Sequence, residues 1–395
     1  MAGFRRSRLR NALVIAQVAL SLVLLVSAGL IVRSLQAAQR MRPGFNPENA
    51  VALSFDVGLQ GYDEGKGRAF QKQVLERTRA LAGVESAALT ENIPLSLNYN
   101  STTIYLEGQP TASSANLPLA IPTSVSPEYF QTMGIALRGR DFTVQEDKTE
   151  SRVAIVNETF ARRFFPGQEA IGKRFNFNGP DKPFWEIIGV CGDGKYNSLG
   201  EDAKPALFRP QLRDYNTAVS LVARSKGDPR TTLAAMQQEM RSLDPTLPLY
   251  EVKTLTEHMK IPLFPARIAA GALGSFGVLA LVLAAVGIYG VMSYVVAGRT
   301  REIGLRMALG AQQGNVRGLI LRQGMTLALI GSIIGLAIAF AATRLLKSIL
   351  YGVSASDPMT FVGVSFLLGA IALLACWIPA RRASRVDPMI ALRAE

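Results

Sequence analysis

The sequence predicts a membrane protein with four transmembrane α-helices and a large α+β extracytoplasmic domain between helices 1 and 2. Three observations carry that expectation. Residues 11–32, 268–296, 324–342 and 360–378 contain no Asp, Glu, Lys or Arg, and each stretch is near or above the roughly 20 apolar residues that cross bilayer hydrocarbon as a helix. The long interval between the first two stretches alternates strand-like and helix-like patterns. The charge is also unevenly distributed. The 395-residue chain carries a net +13, yet residues 35–264 hold 26 basic and 26 acidic side chains.

That partition decides two questions. A nucleic-acid-binding face would put the basic excess on the interval domain, so no nucleic-acid partner is expected. The excess instead flanks the apolar stretches. Thirteen arginines fall on one side (the N-terminal arginines, Arg299 to Arg322, and Arg381 to Arg393), against Arg33, Arg267, Arg344 and Lys347 on the other. Lys and Arg concentrate on cytoplasmic flanks. The N-terminus, the loop between helices 2 and 3 and the C-terminus are therefore expected inside. The large domain is expected outside, periplasmic in a bacterium whose inner membrane holds the chain. Membrane lipids are then an obligatory partner.

Taken in order, residues 1–34 read as a basic N-terminus and transmembrane helix 1. The apolar run exceeds the roughly 7–15 residues of a signal peptide's core, which makes it an uncleaved anchor. Its helical pattern continues towards Pro43-Gly44. Residues 35–264 open and close on strand–helix–strand patterns. The opening set is a strand at 51–57, a helix at 66–81 and a strand at 84–90; the closing set is 218–223, 230–243 and 249–252. Between them come short strands at 101–106 and 120–125, then a short helix expected to start with Ser126 as N-cap and Pro127 at its first position and to end at Gly134. A strand at 153–157, a helix at 158–165 and strands at 171–177 and 185–190 follow. Residues 265–395 hold transmembrane helices 2–4, about 268–296, 324–342 and 360–378. Asp357 and Pro358 mark the start of the last one, and Pro379 its end. Gly331 and Gly335 form a small-xxx-small pair that permits close helix packing in lipid.

Catalytic chemistry is sparse. Residues 189–195 match the first seven positions of a phosphate-binding loop, but Tyr196 stands where Ser or Thr must ligate magnesium. A strand ending in a Gly/Asp turn accounts for them. One histidine, His258, and two cysteines, Cys191 and Cys376, provide no metal cluster or His-based triad, so no cofactor is expected. The charge-free spans lack the carboxylates that ion-coupled transporters keep in the membrane. Energy for any work must enter elsewhere.

The loop between helices 2 and 3 contains Arg301-Glu-Ile-Gly-Leu-Arg-Met-Ala-Leu-Gly-Ala311, and the tail reads Ile378-Pro-Ala-Arg-Arg-Ala-Ser-Arg-Val-Asp-Pro-Met-Ile-Ala-Leu-Arg393. Both resemble FtsX-type ABC-transporter permeases. Residues 125–135, 138–142 and 153–158 resemble the MacB-type periplasmic core domain. The likeness is especially close to acidobacterial-type permeases, many of which carry two such units where this sequence has one. It implies a non-enzymatic permease subunit that pairs with a second permease unit and docks a separate cytoplasmic ATPase, with a periplasmic adaptor as a further partner. Carried over by position, the ATPase-coupling element is Arg301, Glu302, Gly304, Arg306, Ala308, Leu309, Gly310 and Ala311. ATP-driven closure would move the extracytoplasmic domain to export or extract a substrate. The same likeness leaves an alternative: an FtsX-like regulator that activates an extracytoplasmic partner without transport.

Overall fold

The computed structural model describes residues 2–96, 100–108, 118–148, 152–177, 179, 181–211, 213–308, 312–345, 350 and 352–384. The chain divides into two compact units, one of residues 41–263 and one that joins 1–40 to 264–395.

Among its described residues the inserted unit holds eleven strands. Its first half is built from β1 (Ala50–Asp56), helix α2 (Glu64–Ala80), β2 (Val84–Thr90), β10 (Ala218–Ser225), α6 (Pro229–Leu243) and β11 (Leu249–Thr254). The strands lie in the order β11-β1-β10-β2, each pair antiparallel. Each strand–helix–strand unit leaves a gap that a strand of the other fills, a double split β-α-β arrangement. Alternation puts Leu53, Phe55, Val219 and Leu221 on one face, where they meet Phe70 and Val74 of α2 and Met236 and Met240 of α6. Each helix is started by a carboxylate. Asp63 accepts from the Lys66 N–H at 2.8 Å, and Asp228 from those of Arg230 and Thr231, which satisfies donors the helix cannot.

The rest of the unit is inserted between β2 and β10. It contains β3 (Thr102–Leu106), β4 (Leu119–Val125), α3 (Tyr129–Met133), β5 (Leu137–Gly139), α4 (Val144–Lys148), β6 (Val153–Asn157), α5 (Glu158–Phe164), β7 (Arg174–Phe177), β8 (Trp185–Cys191) and β9 (Ala206–Pro210). Pairing runs β4-β3-β7-β8-β6-β9 and returns to β4 through a parallel β4–β9 ladder, so the strands form a closed ring. Phe160, Phe175, Trp185 and Ile187 fill its core. One bridge, Thr90 to Val125, joins ring and first half. Helix α7 (Leu255–His258) closes the unit with a Thr254/Glu257 capping box.

Two local expectations are corrected. Ser126 is not an N-cap, because α3 begins at Tyr129. The Ser126 hydroxyl instead accepts the Leu89 N–H at 2.9 Å, and Glu128, at φ 72°, makes the turn into the helix. Strand β7 is shorter than expected, because Gly172, at φ 83°, turns the chain first.

The second unit is a bundle of α1 (Ala2–Arg40), α8 (Phe264–Gly298), α10 (Gln313–Leu345) and α11 (Pro358–Ala383), with α9 (Thr300–Ala308) between α8 and α10. All four long helices are apolar and long enough to span a membrane. They outrun the charge-free windows because helical hydrogen bonding continues where lipid ends. Pro379 does not stop α11, which runs one turn further to Ala383. Arg381 and Arg382 in that last turn face the negative end of the helix dipole.

Helix α1 is the hub, packing on α8, α10 and α11. Val14, Val18, Leu22, Val26 and Leu30, spaced four apart, are all buried. Of its membrane-length stretch 56% is buried, against 22% for each of the others.

Candidate functional site

The candidate site is α9 and its mounting. Helix α8 ends at Gly298 and α9 begins at Thr300. The Thr300 hydroxyl donates back to the Val296 and Ala297 carbonyls at 3.1 and 3.0 Å, which satisfies acceptors at the end of α8. Helix α9 is amphipathic. Ile303, 7% exposed, joins the bundle core and Met307 packs against it. Glu302, Leu305 and Arg306 lie on the exposed side. Glu302 accepts from Arg306 at 2.7 Å and lies 4.0 Å from Arg299. Leu305 therefore presents an apolar side chain beside the paired charges. Leu305, 52% exposed, was missed in the sequence, where only its helical spacing from Ile303 and Met307 pointed outward.

Of the predicted coupling residues, Arg301, Glu302, Gly304, Arg306 and Ala308 lie on α9. The described side chains among them are those of Glu302 and Arg306, while Leu309, Gly310 and Ala311 lie outside the described residues.

The other predicted pair, Gly331 and Gly335, faces the hub helix. A Cβ on Gly331 would fall 2.8 Å from Val18 and 3.0 Å from the Ile15 carbonyl; one on Gly335 would fall 2.9 Å from the Ala19 backbone. Gly277 of α8 approaches Leu25 and Gly29 of α1 approaches Thr360 in the same way. Small residues thus bring α1 close to all three neighbours.

Three flanking arginines have partners that charge patterning alone did not reveal. Arg33 donates to Asp357, the N-cap of α11, which also accepts from the Thr360 N–H at 2.9 Å and hydroxyl at 2.7 Å. Arg317 Nε donates to Ser384 at 2.8 Å. Arg382 reaches the Tyr289 hydroxyl at 3.2 Å. Arg33 and Asp357 join α1 to α11 at one end of the bundle, and Arg317 and Ser384 join α10 to α11 at the other.

The phosphate-loop look-alike is engaged otherwise. Asp193 accepts from the Thr159 N–H at 2.7 Å, from the Thr159 hydroxyl at 2.8 Å and from Arg162 at 2.7 Å, all on α5. Lys195 donates to the Glu201 carbonyl. Among the described residues no three His, Cys, Asp or Glu gather as a metal site.

A bundle that carries a large α+β domain after its first helix, and a short amphipathic helix between its second and third, defines a membrane permease with an extracytoplasmic-type domain. Two family models match it: the MacB-like periplasmic core domain over residues 12–243 and the FtsX-like permease C-terminal over 274–388. The chain belongs to the MacB/FtsX-type ABC-transporter permeases. The macrolide export ATP-binding/permease protein MacB of Marinobacter nauticus is 26% identical over 274 residues, covering 66% of this chain and 41% of that protein. The pyoverdine export ATP-binding/permease protein PvdT of Pseudomonas putida is 26% identical over 282 residues, covering 66% and 40%. The chain thus spans about two-fifths of the length of these curated relatives. The crystal structure of the periplasmic region of MacB from Actinobacillus actinomycetemcomitans matches at 15% identity and a TM-score of 0.37, covering 55% of this chain and 94% of that one.

Proposed function

We propose that the chain couples ATP hydrolysis by a separate cytoplasmic ATPase to movement of its extracytoplasmic domain, and thereby exports or extracts a hydrophobic or amphipathic substrate. The observation that carries this reading is α9, with one side seated in the bundle core and Glu302, Leu305 and Arg306 on the other. A helix mounted that way can pass a push from a docked partner into α8, and through the hub α1 into the bundle. Its coupling residues are Arg301, Glu302, Gly304, Arg306, Ala308, Leu309, Gly310 and Ala311, and Gly331 and Gly335 keep α10 tight on α1 so that the bundle moves as one piece. The charge-free spans support an external energy source. The catalytic machinery for ATP belongs in this reading to the partner. The export named for the relatives supports the direction by analogy alone.

In the same reading the protein sits in a bacterial inner membrane with both termini and α9 in the cytoplasm, as the arginine distribution supports. A second permease unit completes the assembly, and a periplasmic adaptor is a further partner.

The test is affinity purification of the full chain from mild detergent, with bound proteins identified by mass spectrometry. Wild type is expected to retain an ABC-type ATPase and Arg306→Glu to lose it. The Arg306–Glu302 pair is exposed and is worth only about 0.3–0.5 kcal/mol, so the variant's melting temperature should barely move. Recovery of no ATPase with wild type, or equal recovery with the variant, would sink the proposal.

A further inference from the structure

The face of the β11-β1-β10-β2 sheet turned away from α2 and α6 carries a cavity of about 530 Å³, within the roughly 300–1,000 Å³ range of small-molecule sites. Its floor holds Ser54 of β1 and Ser220 of β10, whose hydroxyls bond each other at 2.7 Å. Its walls are Glu91 and Leu95 of the segment after β2, Tyr250 and Glu251 of β11, and His258 of α7.

Two features show that this cavity is built rather than left over. The first is a β-bulge. Ser54 pairs with Tyr250 and Ala52 with Lys253, so Glu251 and Val252 together oppose Leu53. Glu251 has φ 52°, a left-handed conformation unusual for a side-chain-bearing residue. A bulge of this kind re-aims a side chain, and here a carboxylate joins the cavity wall. Leu95 across the cavity is also left-handed, at φ 66°.

The second feature is His258, 2% exposed. Its Nε2 lies 2.8 Å from the Pro94 carbonyl. A carbonyl can only accept, so Nε2 carries the proton. Burial lowers the pKa of the imidazole and keeps it neutral. Nδ1 is then a buried acceptor, and it has no hydrogen-bond partner among the described residues. The lining therefore offers two carboxylates and hydroxyl oxygens beside the buried imidazole, with no Lys or Arg among its described residues. Glu251 is partly neutralised by Lys253 at 3.4 Å, and Glu91 accepts one backbone N–H, that of Ser124, at 3.2 Å. Ile93, Leu95 and Ile261 add an apolar wall.

We propose that this cavity binds a small amphipathic amine, its primary ammonium between Glu91 and Glu251 and its apolar body against Ile93, Leu95 and Ile261. An ammonium has three donors and no acceptor, the complement of an acceptor-rich, net-negative lining. The site lies wholly within the inserted unit, and its test is independent of ATPase docking.

The experiment is isothermal titration of the full chain in neutral-lipid nanodiscs, with empty nanodiscs subtracted. Phenylpropylamine, phenylpropanol and phenylpropanoate serve as cationic, neutral and anionic probes of one shape. The amine is expected to bind saturably and about tenfold or more tighter than the alcohol, and the acid not at all. Glu91→Gln with Glu251→Gln should bring the amine to the alcohol's affinity without changing the latter, and Ala218→Phe, in the cavity wall, should abolish both. Glu251→Gln alone, at an exposed side chain, serves if the double variant misfolds. Equal affinity for amine and alcohol, absence of saturable binding, or an amine affinity unmoved by the glutamine variants would overturn the proposal.

Discussion

Arg33 and Arg306 carry the same charge in different settings. Arg306 is half exposed and pairs with an acid on its own helix, four residues back. Arg33 reaches across the bundle to Asp357, whose side chain is 17% exposed. The Thr360 hydroxyl, the Thr360 N–H and the Arg33 guanidinium together hold the Asp357 carboxyl below the usual carboxylate range. A depressed folded pKa contributes stability that is fully present above the unfolded value near 3.9 and is lost as pH falls through the folded value. Wild type should therefore melt above Asp357→Asn in detergent at pH 7, and the gap should close below about pH 4. A gap that is the same at both ends of the titration would show that the ion pair is not its source. Charge patterning located Arg33 at a membrane boundary. It could not locate Asp357 against it, because their contact spans 324 positions of chain.

At the scale of elements, the glycines of α10 make the sharpest contrast. Gly335 has the Ala19 backbone in the place of its absent side chain, whereas Gly363 of α11 has open space. Gly335→Leu should destabilise the bundle by about 1–3 kcal/mol or more through overpacking, and Gly363→Leu should be tolerated. Thermal unfolding in detergent compares them; equal melting temperatures would refute the packing role. The four long helices were legible because membrane crossing demands an uninterrupted apolar run, and β1, β2, α2, α6 and β10 were legible because their periodicity is strong. The start of α11 was legible too, in Asp357 and Pro358, but its end was not: Pro379 marked a stop, and helical bonding runs one turn past it to Ala383. Strand β5, three residues long, and β9, lodged in the closed ring, carry too little pattern to announce themselves. The amine cavity was invisible for a related reason: a bulge in β11, a loop after β2 and a lone histidine meet only once the split strands interleave.

For the whole molecule, the test is orientation. Cys191 and Cys376 are buried, so an engineered cysteine can be labelled against a quiet background. A membrane-impermeant maleimide should label Lys72→Cys, on the exposed side of α2, in intact spheroplasts. It should reach Gln312→Cys, beside α9, only after permeabilisation. Labelling of both before permeabilisation, or the reverse pattern, would invert the arrangement on which ATPase docking depends. The family was legible from two short stretches in the second unit and three in the inserted one. The strand order of the inserted unit was not, since its pairings join segments far apart in the chain.

The hub position of α1 also sets a problem of timing. Of the four long helices it is made before the other three, and the 223 residues of the inserted unit separate it from α8. At roughly 5–20 residues per second, α1 waits tens of seconds in lipid before any helix it will pack against exists. Val18, Leu22, Val26 and Leu30 must therefore satisfy two solvents in succession, acyl chains first and protein afterwards. A charged hub would be penalised twice, first among acyl chains and then in the finished bundle. The apolar side chains of α1 are suited to the interval as much as to the final structure.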